Sequence, residues 1–122
     1  MNGITTERID PRTAVVNPGS EVDVQHAAAL RNTLLELHSN GVTQYVINLA
    51  DVEFVDSTGL SVLYRAWRRA IHGGGGLTLA SPSDLIRKTL AAVNFPAMVN
   101  DTVGAALHRT MATGPALATK EN

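Results

Sequence analysis

The sequence predicts an α/β fold, a small mixed sheet that is parallel in its centre, with helices between its strands. Three observations predict it. Apolar periodicity switches repeatedly between alternation and a 3.6-residue repeat, the pattern of strands joined by crossover helices. The run Tyr45-Val46-Ile47-Asn48-Leu49 is β-branched and almost continuously apolar, as in a strand covered on both faces. A chain of 122 residues suffices for one domain and is too short for two lobes around a cleft.

The elements follow in order. Residues 4–9 and 13–17 read as two strands of an edge hairpin, turned at Asp10-Pro11-Arg12, where proline presets the turn dihedral. After Pro18-Gly19-Ser20, Asp23 is placed to cap a first helix running to about His38. That helix carries Ala27, Leu30, Leu34 and Leu37 on one face, and Asn40-Gly41 ends it. The buried strand 45–49 leads through a loop at 51–56 into a second helix from Ser57 to about His72. Leu60, Leu63, Trp67 and either Ala70 or Ile71 face inward there, with Ser61, Arg65, Arg68 and Arg69 outward. The run Gly73-Gly74-Gly75-Gly76 stops the helix and turns the chain into a strand at 77–80. A third helix follows Ser81-Pro82-Ser83-Asp84, with Ile86, Leu90 and Val93 spaced for burial. A short strand at 97–99 and a last helix from about Thr102 to Met111, capped by Asp101, complete one domain over residues 1–111. Residues 112–122, with Gly114-Pro115 and a polar end, read as a flexible tail.

Composition narrows the function. Without cysteine, disulfides, thiolate catalysis and cysteine-ligated metal clusters are excluded. A net charge of −1 is not the footprint of a nucleic-acid binder. No apolar run approaches the ~20 residues of a membrane span, and the amino terminus lacks a signal-peptide pattern, so a cytoplasmic protein is expected. The near-zero charge is a cancellation: residues 19–57 hold six acids and one base, while 58–122 hold seven bases and three acids. The sign changes at Ser57.

Asn48 to Leu63 is the most informative segment, because a buried strand runs into a loop carrying Asp51, Glu53 and Asp56 and a helix then begins at Ser57-Thr58-Gly59. Capping explains part of this, since serine is a preferred cap and an acid before it complements the helix dipole. It does not call for hydroxyls at both 57 and 58. Nor does it call for Gly59, which inside a first turn gives up about 0.5–1 kcal/mol relative to alanine, so something is expected to approach that backbone closely.

Asp56-Ser57-Thr58-Gly59-Leu60, preceded by Tyr45 to Leu49 and followed by Leu63, resembles the STAS domain, in particular bacterial anti-sigma factor antagonists, also called anti-anti-sigma factors. The resemblance runs from about Thr13 to Leu107. A second motif of that family, Gly-Glu-apolar-Asp, stands here as Ser20-Glu21-Val22-Asp23, and the later glycine, strand and proline pattern as Gly75 to Pro82. The resemblance implies four helices packed mainly on one face of the sheet. It implies that Ser57 is phosphorylated by the anti-sigma factor, a serine kinase, with Thr58 the adjacent and less favoured acceptor. The unphosphorylated protein then binds the anti-sigma factor and releases the sigma factor; phosphorylation ends binding, and a serine phosphatase restores it. Asp23 and Asp56 match acids that flank the site. A partner surface of Asp23, Asp56, Ser57, Thr58, Gly59, Ser61 and Arg65 is expected, with no catalysis, cofactor or metal of its own.

A phosphate on Ser57 adds about −1.5 to −2 charges at a helix amino terminus, where an anion is favoured, so the switch should be local. An enzyme reading lacks a Gly-x-Ser-x-Gly elbow, and histidines 26, 38, 72 and 108 are scattered. His26 reads as an exposed helix residue, Trp67 as core, and the Arg65, Arg68 and Arg69 face as solvated charge. The competing function is an interaction subunit of a phospholipid-transport complex, or a domain from an anion-transporter architecture, on the same fold. An antagonist that is never phosphorylated is a third reading.

Overall fold

The computed structural model describes residues 3–112; of the tail expected at 112–122, Ala112 is the last residue of a helix and 113–122 lie outside the described residues. Five strands form one sheet in the order β1-β2-β4-β6-β7: β1 (Thr5–Asp10), β2 (Thr13–Asn17), β4 (Gln44–Asn48), β6 (Gly76–Ala80) and β7 (Met98–Asn100). The hairpin strand β1 runs antiparallel to β2, and every other pairing is parallel. Four helices connect or follow them: α1 (Ala27–Ser39), α2 (Ser57–His72), α3 (Asp84–Ala92) and α4 (Val103–Ala112).

Strand alternation divides the core into two layers. Ala14, Val16, Tyr45, Ile47, Leu77 and Leu79 point toward α1, α2 and α3 and join Leu30, Leu34, Leu63, Ile86 and Leu90. Val15, Val46 and Ala80 point the other way and meet Ala106 of α4. Three helices therefore cover one face and α4 the other. Val46 and Ile47 are both wholly buried, which is why β4 reads as a continuous apolar run. Each fully buried leucine or isoleucine, such as Leu34, Leu63 or Leu79, contributes about 1.5–3 kcal/mol from burial.

Several element ends differ from expectation, each for a visible reason. Asp23 does not cap α1. Its carboxylate accepts the His26 backbone N–H at 3.2 Å and its carbonyl accepts the same N–H at 3.0 Å, so 23–26 is a turn and the helix starts at Ala27. Asp56, not Ser57, is the cap of α2. Ser83 caps α3, its Oγ accepting from Ile86 N–H at 3.2 Å. At α4 the capping oxygen is Thr102 Oγ1, which accepts from Ala105 N–H at 2.9 Å, while Asp101 pairs with Arg87. Val93 is exposed because α3 ends one residue before it and Asn94 turns left-handed, at φ 53°, which brings Phe95 back toward the core. Ala70 rather than Ile71 faces inward on α2, with Ala66 beside it, and Trp67 is only partly buried against the core.

The sequence reading missed one pair of strands. β3 (Glu21–Val22) and β5 (Phe54–Val55) pair in parallel, Glu21 opposite Phe54 and Val22 opposite Val55. Two residues each give no periodicity to read. Their pairing nevertheless joins the Asp23 loop to the start of α2.

Candidate functional site

The loop before α2 is laced to the loop before α1 by backbone bonds. Glu53 N–H donates to Ser20 O at 2.7 Å, and Asp56 N–H to Val22 O at 3.1 Å. Asp56 then uses both carboxylate oxygens: Oδ1 accepts Gly59 N–H at 2.9 Å and caps the helix, while Oδ2 accepts Val24 N–H at 3.0 Å. One side chain closes the amino end of α2 and holds the neighbouring loop against it.

Gly59 is buried, and a Cβ there would collide with the Val22 carbonyl. The close approach expected at this glycine is therefore made by the chain's own β3. Gly59 seats the helix and presents no side chain to a partner. Ser57 and Thr58, the two residues before it, are both exposed. They occupy the first two helical positions, where backbone N–H groups precede the first intrahelical bond and the dipole is positive.

Beside this start lies an electrostatic cluster. His26 Nδ1 stands 2.6 Å from Asp23 Oδ1 and 3.8 Å from Glu21 Oε1. The hydrogen bond that His26 donates to the Asp23 carboxylate raises the His26 pKa above the usual 6.5 against some desolvation, and the same bond holds the Asp23 carboxyl below the usual carboxylate value. His26 is thus a partnered residue at the α1 cap position rather than a free helix residue. Glu21, Asp23 and His26 offer ligand atoms within 4.8 Å of one another. The nitrogen and oxygen that a cation would need are already joined to each other.

Two hollows meet at Ser57. The first, of about 400 Å³, runs between α1 and α2 and is bordered by Ser57, Thr58, Ser61, Arg65, Arg69 and, from α1, Arg31. The second, about 310 Å³, lies on the other side of α2 and is bordered by Ser57, Leu60, Tyr64, Val93, Phe95 and Pro96. Val24 and Phe54 are exposed on the two laced loops, at 65% and 53%. Of the expected site residues, Ser57, Thr58, Ser61 and Arg65 share one groove, and Asp23 is brought alongside through the Val24 to Asp56 bond. His26, Arg31 and Phe54 were not foreseen. The spacing of His26 three residues after Asp23 was a usable signal; nothing local marks Arg31 as a neighbour of Arg65.

Comparison with known proteins places this geometry among relatives. A family model described as Mlab, STAS domain, matches residues 5–100. The anti-sigma-B factor antagonist of Bacillus subtilis is 38% identical over 73 residues, which is 59% of this chain and 66% of that protein. The anti-sigma-F factor antagonist RsfB of Mycobacterium tuberculosis is 42% identical over 50 residues, 41% of each chain. These matches span two thirds or less of the relatives' own lengths. The fold is that of the Bacillus anti-sigma factor antagonist SpoIIAA: its unphosphorylated form superposes with a TM-score of 0.80 at 22% identity, over 90% of this chain and 97% of that one. No helix among the described residues is long and apolar enough to cross a membrane.

Proposed function

The chain belongs to the STAS domain family, and on that premise we propose that it is an anti-sigma factor antagonist switched by phosphorylation of Ser57. In its unphosphorylated form it binds a cognate anti-sigma factor, a serine kinase, and so frees a sigma factor. The similarity to two antagonists of this kind supports the partner class. The observation that carries the switch is the placement of Ser57, an exposed hydroxyl on the first helical position after the Asp56 cap.

In the transfer, Ser57 Oγ forms a bond to the γ-phosphorus of ATP held by the kinase. The bond from that phosphorus to the β,γ-bridging oxygen breaks, ADP leaves, and the hydroxyl proton passes to a base of the kinase. A serine phosphatase reverses the modification with water, releasing inorganic phosphate. The antagonist performs no catalysis itself. Its contribution is to hold the acceptor rigidly, through the Asp56 cap and the packing of Gly59 on Val22. Asp23, Asp56, Ser57, Thr58, Ser61 and Arg65 form the docking surface, with Thr58 as the second acceptor. Binding ends on phosphorylation because charge is added where Glu21, Asp23, Asp51, Glu53 and Asp56 already make the surface acidic, which raises the repulsion and desolvation met on docking.

Incubation with the cognate kinase and ATP should add one phosphate, located by mass spectrometry at Ser57, and should release the complex. An unmodified Ser57 would overturn the switch. Recovery of a transporter ATPase instead of a sigma-regulating kinase as bound partner would overturn the partner class in favour of a transport-complex subunit.

A further inference from the structure

The groove between α1 and α2 holds more positive charge than its surroundings answer. Arg31 from α1 and Arg65 and Arg69 from α2 border the same 400 Å³ space, together with the Ser57 and Thr58 hydroxyls. None of the three takes part in an ion pair among the described residues, where the bridges are His26 to Glu21, His26 to Asp23, and Arg87 to Asp101. No carboxylate lines the groove; Asp56 accepts from two backbone N–H groups and Asp23 pairs with His26. Arg31 and Arg65 are exposed and Arg69 half-buried around this one space, so like charge from two helices faces it and an anion entering it would be attracted. Long side chains on a helix lean back toward its amino terminus, so Arg65 and Arg69 lean along α2 in the direction of Ser57.

We propose that this groove is a phosphate-holding site, in which Arg65 and Arg31 grip the phosphate monoester once Ser57 carries it. The inference deepens the switch described above and rests on Ser57 being the acceptor. Ser57 borders two hollows, of which only one holds cationic side chains. On one side are the arginines; on the other are Leu60, Tyr64, Val93 and Phe95. Of the two hollows only this one offers a dianion cationic partners, and the planar guanidinium fork matches phosphate oxygens two at a time. The grip ties α1 to α2 across the groove, so the phosphorylated protein withdraws the arginines from any acidic side chain of a partner. The off state is then a defined arrangement of the antagonist itself as well as a repulsive surface.

The experiment installs phosphoserine at position 57 during synthesis of the full chain and follows its ³¹P resonance with pH. A free phosphoserine completes its second ionisation near pH 6; gripped by two guanidinium groups, that midpoint should fall by about 1 in pH. Arg65→Ala and Arg31→Ala should each return it toward the free value, and Arg65→Lys should retain part of the shift. Positions 31, 57 and 65 are all exposed, and circular dichroism checks that each variant is folded. A midpoint unchanged between the parent and both alanine variants overturns the proposal. So does a Ser57→Ala protein whose groove binds inorganic phosphate while the phosphoserine protein shows no shift, since the site would then serve free anions. Failure of a kinase to modify Ser57 would remove the switch without moving this readout, because here the phosphate is built in.

Discussion

At the residue scale the site turns on two carboxylates with different duties. Asp56 caps α2 and holds Val24, both through backbone N–H groups. Asp23 faces His26, and that pair titrates. The bond raises the His26 pKa above 6.5, so its stabilising effect is complete below the unfolded value and is lost as pH rises through the raised folded value. Asp23 is lowered from 3.8, so its effect is present above that value and is lost as pH falls through the lowered one. Together they hold the 23–26 turn best between about pH 3.8 and 6.5. A ring-proton titration of His26 should give a midpoint above 6.5, and Asp23→Asn should bring it down; an ordinary midpoint in the parent would count against the pairing.

At the element scale, the amino end of α2 is positioned by the absence of a side chain. A methyl group on Gly59 would meet the Val22 carbonyl, the backbone of β3. Alanine is normally preferred to glycine inside a helix by about 0.5–1 kcal/mol, so the sign of the effect is diagnostic. Gly59→Ala should destabilise by roughly 1–3 kcal/mol, as overpacking does in a close-packed site, and should separate β3 from β5. Thermal melting reads the first, and amide exchange at Glu53 and Asp56, whose N–H groups join the two loops, reads the second. A raised melting temperature would show that α2 can back away from β3. The same device recurs at the other end of α2, where a Cβ on Gly75 would strike the Thr43 carbonyl. Glycines at both ends of one helix thus set its seat on the sheet side.

At the scale of the whole molecule, the proposed acceptor stands outside the core. Leu63, Ala66 and Ala70 anchor α2 while Ser57 and Thr58 are exposed. Ser57→Ala and Ser57→Glu should therefore fold alike, the glutamate gaining about 0.3–1 kcal/mol from the helix dipole. They should differ in binding: calorimetry with the anti-sigma factor should detect a complex for alanine and none for glutamate. Equal affinity would mean that charge at 57 does not control docking. Element types, their order, the two-sided burial of β4 and the hydroxyl pair at the start of α2 were all legible in the sequence, because periodicity and helix-start chemistry are properties of neighbouring residues. The β3 to β5 pairing, Val22 as the neighbour of Gly59, the hold of Asp56 on Val24 and the shared groove of Arg31 with Arg65 and Arg69 were decided only by the tertiary structure. Those contacts join residues some thirty positions apart, as Val24 and Asp56 are at 32. No local pattern records which backbone the packed sheet brings against a helix end.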